Sequence, residues 1–549
     1  MLLRSKPLLG LRGARLISDG MPFRIRAPLA KLLSRKQAQE PASNVAAGGL
    51  GLGDPLGHAL GRLSPSTALA DGEALESDVA TPDYVRLALT SRVYDFISES
   101  ALQRAPGLSE KLRANVHLKR EDTLPSFSFK VRGVYNLLAQ VPVRAESGVI
   151  TYSVGSQGHS IAVAARELGV KATIVMPERT PLKRRQAIEM LGAKVVVHGA
   201  LRVCPRPACQ HCRTRHAAIT PRSPHTAGER LGDAAAEAER LAENGGGERM
   251  YFVEPHDHPL VIAGQATCAL ELVRQMGKEL ERRPGSGVTR AQLDAVFVVA
   301  GGSSLLAGVA SVIKSISPHT KVIGVEAASA DLLHRSLLMG HRLEVPEPAH
   351  FIDGASTWQL GPEVFRLCNE LVDEIVTVSD DEICAAVRDC FEDTRAVLEP
   401  AGALATAGLK KYVADLPLPS SAGGSRGNFV AISSDASNIE FDTLRFIAER
   451  AAMGEQSEKL FALRVPDRTG MFFDMYQAVQ PRLVTEFVYR CSPGQPDALV
   501  YMAMEAREQC GASKAELLPH RDFSGAVRRD RDFHSISARF TYDGGHFSQ

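Results

Sequence analysis

From Asn115 onward, short apolar runs alternate with amphipathic stretches. HLK at 117 leads into a turn and then the helical run VRGVYNLLAQ; GVITYS at 148 precedes IAVAARELG; KATIVMP at 171 precedes LKRRQAIEMLG; KVVVHG at 194 closes the unit. The rhythm resumes with MYFVEP at 250, DAVFVVAGG at 294 and KVIGVEA at 321. Runs of four to seven residues rich in Val and Ile fit strands buried on both faces, and the intervening helices are long enough for parallel crossovers. The pattern predicts an α/β fold with parallel sheets covered by helices. Between Gly199 and Leu231 it breaks, and residues 201–229, rich in Pro, Arg and Cys, read as an irregular insert. LPLPSSAGGSRGN at 416 reads as a second loop. After about Ala452 the order becomes strand, helix, strand, strand, the beginning of a ferredoxin-like α+β unit over 452–549.

Composition narrows the class. The chain has 549 residues, 44% hydrophobic and 23% charged, with a formal net charge of +1, values of a globular protein with more than one domain. A near-neutral balance gives no reason to expect nucleic acid as a partner, and no apolar run reaches the length of a membrane-spanning helix. Nine cysteines scattered along the chain do not form a disulfide framework. Cys204, Cys209 and Cys212 with His211 or His216 carry zinc-type donors, but all fall within thirteen residues. A structural zinc site draws on separated pairs, so no metal is expected. Residues 1–36 hold nine Arg or Lys against the single acid Asp19, the composition of an organelle import segment. A mitochondrial address is expected, with a plastid as the alternative, and residues 1–80 are set aside as import segment and linker.

The chemistry concentrates on KREDTLPSFSFKVRGVYNL at 119–137. A lysine that attacks a carbonyl must be partly desolvated, so that its neutral amine is reachable. Phe127 and Phe129 are expected to wall Lys130, with Ser126 and Ser128 as small neighbours. A second stretch, VVAGGSSLLAGVASVIK at 298, runs from a strand through Gly301 and Gly302 into a helix opening near Ser304. Amides at a helix N-terminus reached through glycines make an anion site; a plain turn and cap is the alternative.

The lysine stretch resembles the cofactor segment of the pyridoxal-phosphate enzymes of the tryptophan-synthase-β type (fold type II), within them the biosynthetic threonine dehydratases. YVRLALTSRVYDF at 84, VIAGQATCALEL at 261, VFRLCNELVDEIVTV at 364, AVLEPAGALATAGLKKY at 396 and LVTEFVYR at 483 are similar to the same family. The resemblance covers about 82–510. It implies a catalytic domain over 81–451 and an ACT-like regulatory domain over 452–549.

Residue by residue, the resemblance implies that Lys130 carries pyridoxal 5'-phosphate, with Phe129 beside it. The loop Gly301, Gly302, Ser303, Ser304 and Leu305 would hold the phosphate, although the family has four glycines where Ser303 and Ser304 interrupt. Strain is therefore expected wherever a serine takes positive φ. Ser153, Gly155, Ser156 and Gln157 match the loop that captures the substrate carboxylate, and Ser156 stands where the family has an Asn that contacts the cofactor. In AISSDASN at 431, Ser434 falls opposite the pyridine nitrogen and Asp435 replaces a glycine. A neutral hydroxyl at that nitrogen makes a weaker electron sink, suited to β-elimination.

The function implied is deamination of L-threonine to 2-oxobutanoate and ammonia, the entry to isoleucine synthesis. Isoleucine and valine are the implied allosteric ligands, and a homo-oligomer, dimer or tetramer, is expected. A catabolic serine/threonine dehydratase and a non-catalytic relative that binds the cofactor or an amino acid stand as alternatives, the latter because three cofactor contacts depart from the family.

Overall fold

The computed structural model describes residues 25–26 and 82–505, except 144–146, 199–230, 245–248, 282–291, 346–350, 420–423, 456, 481–482 and 492–496. The expected import segment, the 201–229 insert with its cysteines and the end of the chain after Cys510 lie outside the described residues. Among the described residues no helix is long and apolar enough to cross a membrane, and no group of side chains could hold a metal ion.

Two parallel sheets form the body. The smaller orders its strands Lys194–His198, Ala172–Pro177, Val149–Tyr152 and Tyr251–Phe252, all parallel. The larger, between residues 84 and 505, runs Glu374–Val378, Lys321–Ala327, Ala295–Val299, Asn428–Ser433, Asn115–Arg120 and Leu102–Arg104; only the last pair is antiparallel. Ala295–Val299 is buried along its whole length, as its unbroken apolar run requires of a central strand with helices on both faces. The predicted α/β class holds. MYFVEP supplies only a two-residue strand.

Register places the site. Asn428–Ser433 pairs in parallel with Asn115–Arg120, ending with Ser433 opposite Arg120. The chain leaves both strands at the same carboxyl-terminal edge, where open parallel sheets place their ligands. The following loops then meet: the Phe129 amide donates to the Ser434 carbonyl at 3.0 Å, and the Ala436 amide to the Phe127 carbonyl at 2.8 Å. An antiparallel bridge joins Ser128 to Asp435 between them.

Beyond the helix Thr443–Gly454, strands Glu458–Pro466, Val484–Arg490 and Asp497–Glu505 form an antiparallel sheet ordered first, third, second. The helix Met471–Val479 follows the first strand, and Val465, Met471, Met475, Val500 and Met502 form a separate small core. This is the strand, helix, strand, strand order that the hydrophobic pattern predicts.

Candidate active site

Lys130 is the first residue of the helix Lys130–Leu138, not a residue preceding it, and is only 5% exposed. Its Nζ lies 2.9 Å from Asp435 Oδ1, and Ser128 Oγ donates to the same oxygen. Phe129 is buried with its ring centroid 4.7 Å from Nζ. Phe127 does not wall the lysine. Its φ of +55° turns the side chain outward, where it is 55% exposed and stacks on the His159 ring. Both phenylalanines were expected to wall the lysine; the left-handed turn at Phe127 sends its side chain away, and Phe129 alone stays beside it.

Beside the lysine, the strand Ala295–Val299 feeds Gly301 and Gly302 into the helix Ser304–Ile316. A Cβ on Gly301 would strike the Ala355 carbonyl, and one on Gly302 the His256 ring. Of the two serines that interrupt the glycines, only Ser303 takes positive φ, at 59°, and its Oγ donates to the Gly301 carbonyl at 2.9 Å. Ser304 and Leu305 are buried and helical. His256 was not singled out from the sequence. Glu254 accepts from the amides of His256, Asp257 and His258 and so fixes that loop. Burial, with the Lys130 charge nearby, pushes the imidazole down to about 4, so it stands neutral near pH 7.

The loop after Val149–Tyr152 closes another side. Ser153 Oγ accepts from the amides of Gly155 and Gly158, both at 2.9 Å. Ser156 and Gln157 open the helix Ser156–Glu167, and a Cβ on Gly155 would collide with Asn438. The Asn438 amide donates to Glu399 Oε2 at 2.6 Å. Burial, reinforced by the Asp435 carboxylate, pushes the Glu399 carboxyl up to about 8. Ser434 is fully buried, its Oγ 3.5 Å from the Ala401 carbonyl. Arg184 ties the edges together, donating to the Val154 and Asn438 carbonyls at 3.3 and 3.1 Å and to Asp353. The predicted lysine, glycine, carboxylate-loop and Ser434 positions thus converge through a continuous chain of contacts.

Beneath the lysine helix lies a buried ionic network. Arg132 Nε donates to Glu121 at 2.6 Å and Nη1 to Glu271 at 2.6 Å, while Lys119 Nζ reaches Glu271 at 2.6 Å. Burial opposes ionisation of Glu121, but Arg132 overrides it and holds the carboxyl below its usual range. Lys119, Glu121 and Arg132 all lie in the 119–137 stretch. Their charge in a run around a buried lysine was the available signal.

Residues 93–426 match the family described as pyridoxal-phosphate dependent enzyme. The chain belongs to that family. It is 41% identical over 433 residues to a mitochondrial threonine dehydratase of Saccharomyces cerevisiae, covering 78% of this chain and 67% of that one. A biosynthetic L-threonine dehydratase of Burkholderia multivorans is 40% identical over 432 residues, 78% of this chain and 75% of its own. Among solved structures, the processed form of threonine deaminase isoform 2 from Solanum lycopersicum superposes with a TM-score of 0.55 at 34% identity, over 67% of this chain and 92% of that one.

The residues present fit the family's cofactor. Gln157 Nε2, Glu399 Oε1, Ser433 Oγ, Ser437 Oγ and Asn438 Nδ2 are buried without a hydrogen-bond partner among the described residues. Buried polar groups without partners are rare in a folded protein; others occur among the described residues, but these five gather on the strand end, helix starts and loop around the lysine. A polar ligand with a carbonyl and an anionic group would meet the amine, the orphaned groups and the glycine-lined helix end together.

Proposed function

We propose that this chain is a threonine dehydratase, converting L-threonine to 2-oxobutanoate and ammonia. The observation that carries the reading is Lys130, an amine almost wholly removed from water at the carboxyl edge of the larger sheet. When bound, pyridoxal phosphate supplies an electron sink that loosens the Cα proton of an amino acid held on it. Lys130 Nζ would carry the cofactor and, once free, take that proton. Phe129 would keep water from the lysine. The amides of Gly301, Gly302, Ser303, Ser304 and Leu305 would hold the phosphate at the N-terminus of the Ser304–Ile316 helix, and Ser434 would face the ring nitrogen. Because Ser153 Oγ already occupies the Gly155 and Gly158 amides, the substrate carboxylate would fall to the Ser156 and Gln157 amides and to the orphaned Gln157 Nε2.

The C-terminal strand, helix, strand, strand unit supports the biosynthetic, regulated type over a catabolic one, with isoleucine and valine as the opposed effectors and a homo-oligomer as the working form. The basic N-terminal segment and the mitochondrial yeast relative support a mitochondrial address. The test supplies purified protein with pyridoxal phosphate and L-threonine, with L-serine in parallel. Threonine should release equal amounts of ammonia and 2-oxobutanoate, faster than serine releases ammonia. Cofactor attachment without ammonia from either amino acid would instead favour the non-catalytic relative.

A further inference from the structure

Arg184 crosses from one sheet to the other beside the site. It sits on the helix Leu182–Met190, which connects Ala172–Pro177 to Lys194–His198 in the smaller sheet. Asp353 and Glu440 belong to connections of the larger sheet; the first is ion-paired with the guanidinium and the second lies 3.5 Å from its Nε. Nη1 also donates to the Val154 carbonyl at 3.3 Å, and Nη2 to the Asn438 carbonyl at 3.1 Å. The side chain is only 14% exposed, and a planar fork of donors suits it to bind two carbonyls and a carboxylate at once. The adjacent Lys183 offers a contrast: it meets Asp442 at 3.8 Å with both side chains largely exposed, an ion pair that contributes little.

Both bonded carbonyls bear on the loop to which the substrate carboxylate is assigned. Val154 lies within that loop, between Ser153 and Gly155. Asn438 stands against it from the larger sheet, since a Cβ on Gly155 would collide with Asn438 Oδ1. Asp353 opens the turn Asp353–Ala355, and the Ala355 carbonyl packs on Gly301. We infer that Arg184 is a positioning residue for the amino-acid substrate: acting through Val154 and Asn438, it sets the carboxylate loop in register with the loops of the larger sheet. The inference rests on the proposed function, which places the carboxylate at the Ser156 and Gln157 amides. Without the fork, the Val154 peptide loses its tie to the larger sheet, and the amides two and three residues further on lose their fixed aim. Lys130 and the glycine turn keep their own supports, the Ser128–Asp435 bridge and the Ala355 and His256 contacts. Amino-acid binding therefore depends on Arg184, and cofactor attachment does not.

The experiment compares the parent, R184M and R184K in three measurements. Cofactor attachment is read from the visible absorbance as pyridoxal phosphate is added to cofactor-free protein. Binding of L-alanine, which has the amino and carboxylate groups of threonine but no hydroxyl to lose, is read by calorimetry on the holoprotein. The third measurement is kcat and KM for L-threonine. R184M should raise the alanine Kd and the threonine KM roughly tenfold or more, with kcat falling by less than KM rises and attachment within about threefold of the parent. R184K keeps a charge beside Asp353 but has no planar fork for two carbonyls, so its values should fall between. Attachment weakened as much as alanine binding, or a loss of kcat at unchanged KM, overturns the inference. So does a loss confined to the melting temperature, the outcome of a purely structural role. If R184M does not fold, as judged by its circular dichroism, R184K carries the test: a severalfold rise in alanine Kd and threonine KM is expected, and parent values overturn the inference. A parent that binds the cofactor and alanine but releases no ammonia from threonine removes the proposed function and leaves the alanine measurement to decide Arg184; a parent that does not bind alanine overturns both.

Discussion

Replacing Arg132 by Met tests the buried network on which the lysine helix stands. In the parent, Arg132 bonds Glu121 and Glu271 with two contacts each, at 2.6 and 2.9 Å to Glu121 and 2.6 and 3.0 Å to Glu271. Methionine fills similar space but leaves two carboxylates facing one ammonium. Glu271 is the better provided, keeping Lys119 at 2.6 Å, the Tyr94 hydroxyl at 2.9 Å and the Ser100 amide at 3.1 Å. Among the described residues Glu121 keeps one hydrogen bond, from the Ser100 hydroxyl at 2.6 Å. Breaking one side of a buried pair costs about 3–5 kcal/mol, a large part of the roughly 5–15 kcal/mol that holds a domain folded. Urea unfolding followed by circular dichroism at pH 8 should show a loss of that size in R132M, and E121Q added to it should recover part. The loss should shrink toward pH 5. In the parent, Glu121 is held below its usual range, so its contribution is present above that range and is lost only as pH falls through its lowered value; in R132M burial is opposed only by the Lys119 charge and the Ser100 hydroxyl, and the carboxyl takes up a proton earlier. A loss under about 1 kcal/mol, or one that does not vary with pH, would refute the reasoning.

Two further outcomes follow from single residues. S303G should shift stability by less than about 1 kcal/mol, because relief of a left-handed serine, roughly 1–2 kcal/mol, is offset by the lost bond to the Gly301 carbonyl and by the freer unfolded chain; a melting-point drop equivalent to more than about 2 kcal/mol would show that the Ser303 hydroxyl has a larger role. Burial raises Glu254, Glu326 and Glu399 to about 7, 8 and 8; carboxyls raised on folding stabilise fully below their ordinary range and lose that contribution as pH climbs through the raised values. Buried histidines held low, such as His256, add stability as pH rises through their ordinary range, so the melting temperature should decline only above about pH 7, and less steeply in E399Q, whose profile matching the parent's would contradict the assignment to Glu399.

Much of the fold was legible because parallel strands buried on both faces must be apolar throughout, and AVFVV at 295 admits no other reading in an alternating α/β pattern. The lysine, the glycine-lined helix end and the 153–158 loop were legible for a different reason: each is a contiguous motif. What escaped depends on contacts distant in sequence. Glu271 meets Lys119 and Arg132 across more than a hundred residues, and His256 reaches the Gly302 turn from another loop. Asp435 was visible as a substitution, but its pairing with Lys130 follows from the register of two strands, Asn115–Arg120 and Asn428–Ser433. Phe127 was misplaced because nothing in its residue type signals that its backbone takes a positive φ. Strain was expected at whichever serine of Ser303 and Ser304 took positive φ; it falls on Ser303 alone, since Ser304 is already helical.

The most direct test of the central claim is the identity of the lysine that carries the cofactor. Protein incubated with pyridoxal phosphate, reduced with borohydride and digested should yield one modified peptide, bearing the pyridoxyl group on Lys130, and K130A should yield none. Modification of a different lysine in the parent, or the same extent of modification in K130A, would contradict the account.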